Sequence, residues 1–403
     1  MKKGLFLFLL LQFFVFSESL GLTVKSQKMI FSEKEPISGK VILKNSSTSD
    51  FKGVLKVYLE NEIDRKSEII QKEIYIPVKG EIEVNIYFKK NLGKYGHALV
   101  GELYDDKGNL ISKGEDFFNV CDNYWNVSLI APFGFIWQQW EKIDDGVMIP
   151  KKDTKWIDDL INNLRKEYYN GFEKFFWAPD DFIDLTPEKD MWFSGQTRYM
   201  ETKKGLIELI KKAHENGMKA ITYAKLTGGG PVGIEMARRH PEWVWHYKGT
   251  LSVGRNVKQI LEYDIPTKKF WQCWIPVDYN MNDKKVVEMG IKELIESARM
   301  FGWDGARWDG NFDVRSEIYD FEGNLIEKLS PDQVDSRNAE NMRITKEMIS
   351  KVFPEYVYGY NWANEGGCLK VNREVIELCR GGGLIMNEYI NQADEYSIPF
   401  ING

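Results

Sequence analysis

The sequence predicts an α/β protein in two parts. An N-terminal immunoglobulin-like β-sandwich spans residues 20–120, and a (β/α)8-type TIM barrel spans residues 121–403, truncated after about six strands. Three observations predict this. Apolar and polar residues alternate at period two as far as residue 120. Beyond it, short apolar runs alternate with runs of helical period. Acidic residues then recur at the ends of those short runs.

In the first part the alternating runs are Val41–Asn45, Val54–Leu59, Glu73–Pro77 and Ile82–Tyr87. Turn-forming residues separate them at Asn45–Ser49, Lys79-Gly80 and Asp105–Asn109. Several short strands at this spacing predict an antiparallel sandwich. The stretch has no cluster of carboxylates or histidines, so a packing or spacer role is expected of it.

Near Cys121–Trp125 the period changes. The expected strands are Val127–Pro132, Glu173–Trp177, Lys219–Ala224, one ending at Asp309, Tyr356–Asn361 and Leu384–Asn387. Helices are expected between them. Thr154–Tyr169 carries Trp156, Leu160, Ile161 and Leu164 on one face. The next starts at the N-cap Thr202, buries Leu206, Leu209, Ile210 and Ala213, and stops at Gly217. Helices at Asp283–Phe301, near Asp335–Val352 and at Asn372–Arg380 follow. Residues 232–283 form a long aromatic excursion with a short helix at Gly233–Arg239, expected to overhang a site. Leu226–Pro231 is glycine-rich but lacks the Lys-Ser/Thr of a phosphate loop. Eight strands close such a barrel, so the six runs imply that the last two β/α units lie outside this chain. The competing assignment places further strands at Gln259–Asp264 and Trp274–Asp278.

Residues 1–19 read as a signal peptide, with Lys2-Lys3 ahead of the apolar Leu5–Phe16 and small residues at Ser17 and Ser19. A secreted protein, extracellular or periplasmic, is expected. The four cysteines, Cys121, Cys273, Cys368 and Cys379, fit no zinc spacing; a Cys368–Cys379 bridge and free thiols both remain open. A net charge of −6 with both signs interspersed gives no electrostatic case for nucleic acid or an anionic membrane. The 13 Trp and 19 Tyr supply aromatic faces of the kind that pack on sugar rings or fill cores.

Asp309 ends a short run, Gly305–Trp308, just before Gly310. That is where a β/α barrel keeps its chemistry. Arg307, two residues earlier on the same strand, is expected to share its face and keep the carboxylate ionised. Other strand ends offer Asp180 and Asp181, Glu365 and Glu388. With only four His, no serine elbow and no dinucleotide fingerprint, neither a metal nor a cofactor is expected. Carboxylates among Trp and Tyr point to glycoside hydrolysis, which needs two carboxyl groups across the scissile bond. Tyr223, Asn361, Trp362, Trp177 and Trp308 stand where strand ends would line a pocket.

Three stretches carry a family resemblance: Ala213–Tyr223, Gly302–Asp309 and Leu384–Glu388. The sequence resembles glycoside hydrolase family 66, which holds dextranases and cycloisomaltooligosaccharide glucanotransferases and sets an immunoglobulin-like domain before the barrel. The resemblance implies Asp309 as nucleophile, Glu388 as acid/base, and an α-glucan such as dextran as substrate. Arg307 departs from that pattern and is more like the wider amylase group, in which the acid sits at strand five; there Glu365 would serve. A poly- or oligosaccharide is thus the expected partner, with no membrane contact after signal cleavage. The alternative is a carbohydrate-binding or extracellular structural protein without catalysis.

Overall fold

A computed structural model describes residues 20–61, 65–131, 138–144, 147–195, 199–225, 227–228, 230–245, 277–309, 314–320, 323–361 and 383–386. The chain divides into two compact units, residues 1–127 and 128–403.

The first unit is all β among its described residues, apart from one turn of 3-10 helix at Tyr124–Val127. Its strands are β1 (Leu20–Ser26), β2 (Ile30–Phe31), β3 (Ile37–Asn45), β4 (Phe51–Asn61), β5 (Arg65–Lys66), β6 (Ile70–Ile76), β7 (Glu81–Phe88), β8 (Tyr95–Asp105) and β9 (Leu110–Val120). One sheet runs β1-β3-β7; the other runs β2-β9-β8-β4, with β5 and β6 both on β4. All pairings are antiparallel except β2 with β9. Alternation places Val41, Leu43 and Ile86 of the first sheet in one buried cluster with Leu55, Val57, Leu99 and Leu103 of the second. The expected turns form: Asp105 takes the amides of Lys107 and Asn109, and Gly108 adopts a left-handed φ of 83°. Cys121 is a buried free thiol; the other three cysteines lie outside the described residues.

The second unit is α/β. Its strands are β10 (Ile130–Ala131), β11 (Trp140–Asp144), β12 (Val147–Pro150), β13 (Gly171–Lys174), β14 (Met191–Phe193), β15 (Met200–Thr202), β16 (Lys219–Lys225), β17 (Thr227–Gly228), β18 (Val277–Asp278), β19 (Gly305–Asp309), β20 (Glu317–Tyr319), β21 (Leu325–Lys328), β22 (Val357–Asn361) and β23 (Gly383–Met386). Six of them form one parallel sheet in chain order, β10-β13-β16-β19-β22-β23. The others form antiparallel pairs: the hairpins β11-β12, β14-β15 and β20-β21, and β17-β18, whose strands stand far apart in the chain. β18 therefore joins β17 and not the parallel sheet, while Gln259–Asp264 lies outside the described residues.

The helices are α1 (Lys155–Lys166), α2 (Lys203–Glu215), α3 (Gly230–Arg239), α4 (Lys284–Phe301) and α5 (Pro331–Ser350). In α1, Ile157 is buried where Leu160 was expected, and Leu160 is only half-buried. In α2, Thr202 Oγ1 accepts the Gly205 amide and Leu206, Leu209, Ile210 and Ala213 are buried. Asp283 caps α4, and Gly302 ends it in the left-handed region at φ 89°. Helix α5 starts earlier than expected, because Ser330 and Gln333 form a capping box ahead of Pro331. The expected helix Asn372–Arg380 and the signal segment 1–19 lie outside the described residues.

Candidate active site

The two ends of the parallel sheet are built differently. At the amino end, each strand follows its helix after a few residues: 167–170, 216–218, 302–304 and 351–356. At the carboxyl end the connections run 132–154, 175–202, 226–283 and 310–330, and each carries an antiparallel strand pair. Long connections at one end of a sheet are where binding and catalytic groups gather, on a scaffold the short ones hold rigid.

Asp309 is the last residue of β19, in register with Lys225 of β16 and Asn361 of β22; Asn361 is in register with Met386 of β23. Asp309 and Asn361 therefore occupy one row at the carboxyl end. Their side chains, and Trp362, Glu365 and Glu388 entirely, lie outside the described residues.

One row deeper sits Arg307, buried at 2% exposure. Its Nε donates to both carboxylate oxygens of Glu173, each at 2.8 Å. Its guanidinium lies 5.3 Å from the Phe175 ring centre and 5.2 Å from that of Tyr223. A buried guanidinium needs such a partner, since unpaired burial costs several kcal/mol. Among the described residues Arg307 thus meets the carboxylate of Glu173, on a strand one removed in the sheet; the expected pairing with Asp309 falls on a side chain outside them. Glu173 went unrecognised because its pairing depends on register between β13, β16 and β19, which no local pattern encodes. A charged residue inside a buried strand was the available signal.

The described aromatic candidates are core residues. Tyr223, Trp177 and Trp308 are buried. Trp177 Nε1 donates to Thr222 Oγ1 at 2.9 Å, and Trp192 Nε1 donates to the Trp177 carbonyl at 2.7 Å. Tyr223 meets Phe175 and Phe176 edge-on.

Asp180 and Asp181 are buried in the connection after β13. Asp180 Oδ1 accepts the amides of Phe182 and Ile183 at 2.9 and 3.0 Å, and its Oδ2 accepts the Tyr279 hydroxyl at 3.0 Å. Asp180 thereby shapes an Asx turn and ties the connection to the segment ahead of α4. Glu293 of α4 accepts the Leu185 amide and the Thr186 hydroxyl. Phe182 lies so close to Gly290 that a Cβ there would meet the ring at 2.1 Å. Burial first, then the carboxylates of Asp180, Glu293 and Glu188, push Asp184 up to about 7.

At the amino end, Asp304 accepts from His214 Nε2 at 2.8 Å, Lys219 Nζ at 2.7 Å and the Ala220 amide at 2.9 Å. Burial pushes its carboxyl up, but His214 and Lys219 more than offset this and hold it below the ordinary value. A cavity of about 390 Å³ opens beside it, lined by Trp303, Phe353 and Tyr356 among others. Among the described residues, no group of three or more His, Cys, Asp or Glu is placed to hold a metal ion.

No family model and no curated protein matches the chain. Among solved structures it is similar to a cycloisomaltooligosaccharide glucanotransferase from Paenibacillus sp., solved with cycloisomaltoheptaose. The TM-score is 0.64 at 11% identity, over 92% of this chain and 49% of that one. The chain thus spans about half the length of that protein, and at this identity the likeness shows the fold. A β-glucuronidase from Bacteroides uniformis aligns over 89% of this chain and 35% of its own, at 9% identity and a TM-score of only 0.28, on which nothing rests.

Proposed function

We propose that this chain carries the core of a secreted, retaining glycoside hydrolase or transglycosylase acting on an α-glucan such as dextran. The reading takes the first unit as immunoglobulin-like, the second as six strands of a (β/α)8 barrel, and residues 1–19 as the signal for export. The observation that carries it is Asp309 at the carboxyl end of β19, in register with Asn361, where the long connections collect. The likeness in fold to the cycloisomaltooligosaccharide glucanotransferase supports it.

In this mechanism the Asp309 carboxylate attacks the anomeric carbon as the glycosidic C–O bond breaks. Glu388 gives its proton to the departing oxygen. Water or a second sugar hydroxyl then attacks the glycosyl ester, returning a proton to Glu388 and freeing Asp309. Glu365 is the reserve acid. Asp309→Asn is expected to lower turnover of dextran by on the order of a thousandfold or more, with the product anomer of the wild-type chain retained. Near-full turnover by that variant removes the nucleophile assignment, and inverted product removes the double displacement.

A further inference from the structure

Hairpin β11-β12, in the connection after β10, presents an exposed aromatic surface. Every residue of β11 is exposed; Trp140 is 43% and Ile143 58% accessible. The pairing is irregular between Trp140 and Lys142, so that Trp140 stands across from Pro150 and Ile143 across from Met148. Pro150 and Met148 are two residues apart on β12, so the bulge brings Trp140 and Ile143 to one face. Without it, three residues of separation would put them on opposite faces.

The indole is held in place. Tyr199 meets it edge-on, with ring centres 5.9 Å apart. Met148 bridges to Tyr199 through the backbone, which joins this hairpin to the connection after β13. The base of the hairpin is pinned by buried Gln138, whose Nε2 donates to the Lys151 carbonyl at 3.0 Å while its Oε1 accepts the Thr202 amide at 3.0 Å. At the base of the hairpin, Lys151 Nζ donates to Gln139 Oε1 at 2.9 Å.

We infer that Trp140 is a carbohydrate-stacking platform, a subsite at the carboxyl end of the sheet that takes the C–H face of a glucose ring in a polysaccharide chain. This rests on the glycan reading above. An indole fixed by a neighbouring ring and a pinned hairpin offers a flat apolar face at little entropic cost on binding. The apolar C–H face of a glucose ring matches that surface.

Affinity electrophoresis of the full chain, in gels containing dextran or soluble starch, tests this. The chain is expected to be retarded by at least one of the two. Trp140→Ala is expected to weaken that retardation by about tenfold in apparent Kd. Trp140→Leu keeps apolar area without the ring and is expected to lose as much. Absence of retardation of the wild-type chain in both gels overturns the platform, as does wild-type mobility in either variant. Full retardation of Trp140→Leu alone shows that apolar area suffices without the ring and also overturns it. Asp309→Asn separates the two proposals: a variant still retarded but without turnover supports both, and turnover that survives this substitution sinks the nucleophile while leaving the platform standing.

Discussion

The amino and carboxyl ends of the parallel sheet place charge inside the protein for opposite purposes. At the amino end, Asp304 closes a short connection by accepting from His214, Lys219 and the Ala220 amide. Each bond joins neighbouring elements, so the cluster acts as a staple. At the carboxyl end, Glu173 and Arg307 are buried beneath the row that holds Asp309. Burying an ion pair gains little net stability compared with apolar residues of the same size. A fold under no other constraint would fill that layer with aliphatic side chains. Net stability alone therefore does not account for this pair.

The largest expected effect tests that contrast directly. Glu173→Ala leaves the Arg307 charge buried and is expected to destabilise the second unit by about 3–5 kcal/mol in urea unfolding. The double replacement Glu173→Leu with Arg307→Met is expected to recover most of this stability but to lose turnover of dextran under the proposed mechanism. Full turnover in the double variant would make the pair structural and erase the distinction between the two ends.

Asp304→Asn should cost about 2–3 kcal/mol and leave the substrate dependence of turnover unchanged. Its folded pKa lies below the unfolded value. The stability it contributes is therefore present above the unfolded pKa and lost as pH falls through the folded one. The variant should show a flatter acid limb in stability measured from pH 6 down to pH 2; an unchanged limb would mean that Asp304 does not anchor this end.

Asp184, in a carboxyl-end connection, runs the other way. Its pKa is raised to about 7, so the folded state holds the proton after the unfolded chain has released it. Stability should fall as pH rises from about 4 to 7, and Asp184→Asn should gain about 1–2 kcal/mol at pH 8, well short of the full linkage value because the group keeps some contact with water. A loss on substitution would show that the ionised carboxylate has a stabilising partner.

The smallest effect lies in α5. Ser330→Ala removes the capping box and should cost about 1 kcal/mol in thermal unfolding, without change at either end of the sheet.

The elements legible in the sequence were those set by local period and capping chemistry. Thr202 with Leu206, Leu209, Ile210 and Ala213 forms the helix its spacing implies, and Gly302 ends α4 as a left-handed residue. The strand ending at Asp309 was also legible, from a short apolar run stopped by glycine. The four strand pairs of the carboxyl-end connections were not, because their strands are short and carry no strong pairing signature. Trp140 and Ile143 gave no sign of sharing a face, since a bulge alters parity without marking the sequence.

By itself, then, the sequence determined two regimes of period, the order of strand and helix in the second, and acidic residues at strand ends. These follow from backbone geometry and side-chain burial within one segment. The tertiary structure alone decided that Arg307 meets Glu173, that Asp180 shapes a turn against Tyr279, and that Trp177, Tyr223 and Trp308 are core. Those partners come from different strands and connections, and their meeting depends on parallel register, which is fixed when the whole sheet packs.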